Sequence, residues 1–258
     1  MKIYFLGTCC GAEPIENRNH LSFVIESGGV NYFFDAGEGC SRTAHLMGID
    51  LLSVKRIVIS HGHMDHVGGL GNLLWNIRKL NSLKKTLPKY GDIEVYVPVL
   101  ATFDGIMQVL KNSEGGYACE YNTICHQVKD GVLFDDDNMK VTAFHNEHIS
   151  RNEETGDWRS FSYLIETENK KIVYSGDLRR LTELDALIGD RADALIVETG
   201  HRKILDVYEY TKDKNIGMLY FNHNGREIIN DLEGSIKKVK ELFKDKAVIC
   251  SDKMTVKL

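Results

Sequence analysis

The chain has 258 residues, 32 basic and 37 acidic side chains giving a formal net charge of -5, and 43% hydrophobic content. That balance argues against broad non-specific affinity for nucleic acid, whose backbone rewards basic surfaces. No apolar stretch is long enough to span a membrane, and Met1-Lys2-Ile3-Tyr4-Phe5-Leu6 lacks the pattern of a cleavable signal peptide.

One domain over residues 1–258 is the expectation for this length. Cys9, Cys10, Cys40, Cys119, Cys125 and Cys250 form no C-x-x-C pair, so they read as free thiols of a reducing, cytoplasmic compartment.

In chain order, residues 1–7 read as a strand, followed by the loop Gly7 to Pro14. Strands over 21–26 and 30–34, joined through Ser27-Gly28-Gly29, make a hairpin. Asp35-Ala36-Gly37-Glu38-Gly39 follows, then a helix from about 41 to 47 and a strand over 54–60. That strand ends in Ser60-His61-Gly62-His63-Met64-Asp65-His66, with Val67-Gly68-Gly69-Leu70 behind it.

Beyond it, apolar spacing predicts a helix over 70–87 whose end carries Arg78, Lys79, Lys84, Lys85 and Lys89. These are a solvated face or a patch for an anionic substrate. A strand over 93–97 and a helix over 100–110 come next. Val141 to Phe144, Phe161 to Ile165, Lys171 to Tyr174, Ala194 to Val197 and Met218 to Phe221 read as strands, several of them followed by polar loops. The chain closes with an amphipathic helix over 228–243 and a strand over 247–250.

The chemistry concentrates in residues 61–66, where four possible metal ligands directly follow the apolar run Ile57-Val58-Ile59. Imidazole and carboxylate suit Zn²⁺ and its borderline neighbours, and alternation along an extended segment points His61 and His63 the same way. Asp65 and His66 lie past the turn, a spacing that favours a second ion close by.

This H-x-H-x-D-H segment resembles the signature of the metallo-β-lactamase superfamily. The resemblance implies a four-layer αββα sandwich, an α/β (α+β) fold, with one or two metals at the edge of its sheets. Phe5-Leu6-Gly7-Thr8, Pro14, Arg18 and Asp35-Ala36-Gly37-Glu38-Gly39, together with the motif and Gly69-Leu70, are similar to the opening of ribonuclease Z and related phosphodiesterases. Asp35 is a candidate for orienting a ligand histidine, or else a turn aspartate.

The family's order of ligands places a third histidine at His148, favoured over His145, which would be a neighbour or a general acid. It places a bridging carboxylate at Asp177, and His223 as the best candidate for the last ligand. The implied set is His61, His63 and His148 on one divalent ion, Asp65, His66 and His223 on a second, and Asp177 between them, with Asp65 also counted in the catalytic group. Zn²⁺ is the first candidate, with Mn²⁺ or Fe²⁺ the alternatives. A hydroxide bridging the pair would attack phosphorus or carbonyl, with His201 the candidate general acid and Glu198 its orienter.

The segment 149–176 looks too short for the substrate-gripping arm of ribonuclease Z. Val197-Glu198-Thr199-Gly200-His201 also replaces that family's His-Glu-Ala-Thr motif. The expected substrate is therefore a small or unstructured anionic phosphodiester, with nucleic acid admitted but not favoured, no membrane partner, and a homodimer compatible with the family. Carbonyl-ester hydrolysis, tRNA 3′ processing and a non-catalytic metal module are the competing readings.

Overall fold

The computed structural model describes residues 1–258, the side chains of residues 114 and 115 excepted. In chain order the strands are β1 (Lys2–Gly7), β2 (Ser22–Ser27), β3 (Val30–Phe34), β4 (Val54–Val58), β5 (Ile93–Val97), β6 (Thr123–Gln127), β7 (Gly131–Asp135), β8 (Lys140–His145), β9 (Phe161–Thr167), β10 (Lys170–Tyr174), β11 (Ala192–Glu198), β12 (Ile216–Asn222), β13 (Ala247–Ile249) and β14 (Thr255–Lys257). The helices are α1 (Cys40–Leu46), α2 (Met64–Val67), α3 (Leu70–Lys84), α4 (Leu100–Lys111), α5 (Asp185–Ile188), α6 (Ile204–Thr211), α7 (Arg226–Asn230) and α8 (Leu232–Phe243). No helix among the described residues is long and apolar enough to cross a membrane.

The chain forms two compact units. The first, residues 1–7, 19–128 and 252–258, is a seven-stranded sheet in the order β14-β1-β2-β3-β4-β5-β6. Strands β14 to β3 pair antiparallel, whereas β3 to β6 pair parallel and are joined by crossovers carrying α1, α2 and α3, and α4. A parallel pair needs such a crossover, and its strands are covered on both faces. Accordingly every residue of Val30–Phe34 is buried. Leu70, Leu73, Leu74 and Ile77 of α3 are completely buried in the cluster that holds Phe33, Ile57 and Val95, each such side chain contributing about 1.5–3 kcal/mol.

The second unit, residues 8–18 and 129–251, repeats the plan in the order β13-β12-β11-β10-β9-β8-β7. Here β7 to β10 pair antiparallel and β10 to β13 parallel. Its core joins Val173, Leu195 and Phe221 to Ile204 and Val207 of α6 and Val239 and Phe243 of α8. This is the mixed α/β fold with two large sheets expected from the sequence, and in both units polar side chains gather where the parallel strands end.

Some elements depart from expectation. The helix expected over 228–243 divides at Asp231, whose carboxylate accepts from Gly234 N at 2.9 Å and caps α8. α3 stops at Lys84 because Lys85 turns left-handed. Strands β6, β7 and β14 were not anticipated: each lies at a sheet edge, where one flank is open and the apolar alternation fades. α6 was also missed.

Candidate metal centre

In the first unit the donors follow β3 and β4. Asp35 holds a left-handed backbone, φ 55°, directly after β3, and its side chain is fully buried. Its Oδ1 accepts from Ser60 N at 2.6 Å, and its Oδ2 from Ser60 Oγ and from His66 Nδ1, both at 2.7 Å. A carboxylate oxygen only accepts, so His66 donates through Nδ1 and presents the lone pair of Nε2. Ser60 Oγ, its proton directed at Asp35, lies 3.0 Å from His61 Nδ1, which fixes the same tautomer on His61.

His61 Nε2 then stands 3.0 Å from His63 Nδ1. Two nitrogens bound at about 2.05 Å to one tetrahedral zinc would stand about 3.3 Å apart. Asp65 and His66 sit on the single turn of α2, with Asp65 Oδ2 3.4 Å from His66 Nε2. The motif therefore presents two pairs, His61 with His63 and Asp65 with His66.

Close backbone approach holds this motif in place. Ala36 N donates to His66 O, and Gly69 N to Ala36 O, both at 2.7 Å. A Cβ on Gly37 would lie 2.4 Å from Asp65 O, and one on Gly69 would lie 2.2 Å from Gly37 O. Both positions require glycine for lack of space.

In the second unit the donors again follow parallel strands: Asp177 after β10, Glu198 at the end of β11 with His201 beyond, and His223 after β12. Asp177 is buried, its Oδ2 3.6 Å from both His148 Nε2 and His201 Nδ1 and its Oδ1 3.4 Å from His223 Nδ1. One atom from each of Asp177, His201 and His223 lies within 4.8 Å of the others. His201 is thus placed as a possible ligand as well as a proton donor.

Buried Glu198 accepts from His201 N at 2.8 Å through Oε2, which also lies 3.3 Å from His201 Nδ1. That hydrogen bond holds the imidazole above the usual histidine range, against the opposing effect of burial. His223 has φ 50°, and a Cβ on Gly200 would fall 2.4 Å from its Nδ1. The glycine of Glu198-Thr199-Gly200-His201 is what admits the ring.

His145 is placed differently. Its Nδ1 bonds Asp130 Oδ2 at 2.7 Å and its ring stacks on Trp158, centroids 4.1 Å apart. The basic end of α3 is also engaged elsewhere, with Arg78 and Lys79 against the Trp75 ring and Lys89 paired with Asp50 at 2.7 Å. Ser60 and Gly200 are contributors the sequence reading did not single out. The signal for each was its position inside a polar segment.

Imidazole nitrogens and carboxylate oxygens converging at these separations, with no cysteine among them, fit a divalent metal. The fold is the metallo-β-lactamase fold, and the donors together with the ribonuclease Z relatives fit a metal-dependent hydrolase. Residues 1–199 match the model of the family described as Anti-Pycsar protein Apyc1, and the chain belongs to that family.

It is also similar to ribonuclease Z, as the opening residues implied. The identity to the Archaeoglobus fulgidus ribonuclease Z is 24% over 312 aligned positions, covering 100% of this chain and 97% of that protein. To the Methanothermobacter thermautotrophicus ribonuclease Z it is 30% over 148 residues, covering 57% of this chain and 45% of that protein. The crystal structure of human tRNase Z, short form, superposes with a TM-score of 0.75 at 21% identity, covering 100% of this chain and 99% of that one.

Proposed function

We propose that this chain is a phosphodiesterase employing two divalent ions on a small or unstructured phosphodiester. The observation that carries the reading is Asp177, a buried carboxylate with three imidazoles at 3.4–3.6 Å. Two nearby cations repel, and a carboxylate shared between them offsets that repulsion. On this reading His61, His63, Asp65 and His66 would be the ligands supplied by the first unit, and His148, Asp177 and His223 those supplied by the second. The nitrogen-rich donors favour Zn²⁺ over Mn²⁺ or Fe²⁺.

When bound, the ions supply a water acidic enough to deprotonate near neutrality and positive charge for the attacked phosphoryl group. The protein's own part is orientation and proton transfer. Asp35 and Ser60 fix the tautomers of His66 and His61, and Glu198 orients His201, the candidate proton donor to the departing oxygen. Asp65, beside His66, joins the catalytic group as an acceptor.

The net charge of -5 weighs against a polynucleotide as the main substrate, the six free thiols suit the cytoplasm, and a homodimer is compatible with the family. Membership in the Anti-Pycsar protein Apyc1 family supports an anti-Pycsar role for this chain.

The test is metal content with steady-state turnover of bis-p-nitrophenyl phosphate, wild type against Asp177→Ala. About two ions per chain and turnover lost in the variant are expected. Equal turnover in both proteins overturns the reading, and cleavage of lactones or thiolesters with phosphodiesters untouched replaces it with carbonyl hydrolysis.

A further inference from the structure

His148 and Asp177 sit on separate loops of the second unit, and one surface carboxylate ties those loops together. Glu183, on the 3₁₀ turn Leu181–Leu184, accepts from Glu147 N through Oε1 at 3.1 Å. Through Oε2 it accepts from Arg179 N at 3.1 Å and Arg180 N at 3.2 Å. Glu147 immediately precedes His148, and Arg179 follows Asp177 by two positions. The Glu147 carboxylate returns the contact, pairing with Arg180 at 2.8 Å and Arg179 at 3.6 Å.

A second tie runs through the interior. Asn146 Oδ1 accepts from His148 N at 3.1 Å, Asn146 Nδ2 donates to Ser162 Oγ at 3.1 Å, and Ser162 Oγ donates to Ser175 O at 2.5 Å. Asn146, Ser162 and Ser175 are buried. That interior tie runs between the strand ends, whereas Glu183 joins the backbone just before His148 to the backbone just beyond Asp177.

We propose that Glu183 is a positioning residue that sets the separation of His148 and Asp177, and through it the affinity and geometry of the metal they share. The inference rests on the dinuclear reading above. Its physical basis is that three backbone N–H groups from two loops converge on one acceptor. Without it each loop keeps its own inner anchor, His148 N on Asn146 and Leu178 N on Glu198, but loop to loop only the exposed arginine pairs of Glu147 remain beside the candidate ligands themselves, and such pairs are worth little. Groups that orient ligands from behind are typically worth about 10–100-fold in metal affinity.

Glu183→Gln separates this from general stabilisation. The amide keeps only one accepting oxygen, so whichever way it turns, its N–H₂ group faces a backbone N–H of one of the two loops, setting donor against donor. Co²⁺ titration followed by visible absorption and chelator competition, with thermal melts of the metal-free proteins, reads the effect without substrate.

The expected result is about 10-fold weaker Co²⁺ binding with altered d–d bands for Glu183→Gln and about 100-fold for Glu183→Ala. Metal-free Tm values should match wild type within about 2 °C. Unchanged affinity and bands in both variants overturn the proposal, as does weakened binding that tracks a lowered metal-free Tm. If wild-type protein takes up no Co²⁺, the metal reading itself falls and this inference with it.

Discussion

His66 Nδ1 and Asp35 Oδ2 meet at 2.7 Å with both side chains fully buried. The aspartate can be replaced by its amide with almost no change of shape, and the hydrogen-bond pattern then reverses. In Asp35→Asn the amide N–H₂ facing His66 favours the opposite tautomer, leaving a proton on Nε2 where a metal would bind. About 10–100-fold weaker binding of one ion is expected in a fold that remains intact. Chelator competition with circular dichroism measures both, and an unchanged dissociation constant would refute the tautomer argument.

Gly200 makes a second, steric prediction. A methyl at this position would lie 2.4 Å from His223 Nδ1, closer than real contacts allow. His223 already occupies the left-handed region and has little freedom to retreat. Gly200→Ala should therefore displace the ring and remove one ion per chain, as read by metal analysis of the purified protein. Retention of two ions would show that the ring can move without losing its ligand role.

Gly37 and Gly69 test the backbone framework instead. Added methyls would meet backbone oxygens at 2.4 Å and 2.2 Å, atoms that cannot swing aside. Each alanine substitution should cost about 1–3 kcal/mol, the range for overpacking a tight interior. Urea unfolding provides the number, and a loss below about 0.5 kcal/mol would mean that the loops slide freely.

These cases show what the sequence made legible. The pairing of His61 with His63 and of Asp65 with His66 follows from residue spacing, because alternation along an extended segment and one helical turn are local geometries. The apolar strands before the polar loops were equally readable, since parallel strands covered on both faces read as continuous hydrophobic runs. Glu183, by contrast, acts through three backbone donors on two distant loops, a relation that no local pattern encodes. The common plan of the two sheets was also hidden, because it is a likeness of strand order with no repeat in the residues.

Glu94 gives a pH prediction remote from the donors. Burial resists its ionisation, but hydrogen bonds from the Tyr96 hydroxyl and the Arg56 guanidinium outweigh that and hold the carboxyl below its ordinary range. A carboxyl depressed on folding contributes stability that is complete above its unfolded value of about 4.3 and is lost as pH falls through the lower folded value. The stability advantage of wild type over Glu94→Gln should thus be constant from pH 7 to about 5.5 and shrink in more acidic solution. Denaturant midpoints across that range read it, and an advantage that grows on acidification would reverse the sign of the argument.

Histidines 145 and 148 lie three positions apart, and the fold gives them separate surroundings. His148 faces Asp177 at 3.6 Å, whereas His145 is bound to Asp130 and stacked on Trp158. His145→Ala should therefore keep the full complement of metal and turnover, losing about 0.5–1.5 kcal/mol of stability with the ring stack. His148→Ala should lose an ion while the metal-free protein unfolds at nearly the wild-type denaturant concentration. The pair of variants divides ligand from scaffold. Metal lost from His145→Ala and retained in His148→Ala would reassign the third histidine and require the loop from 146 to 160 to refold around it.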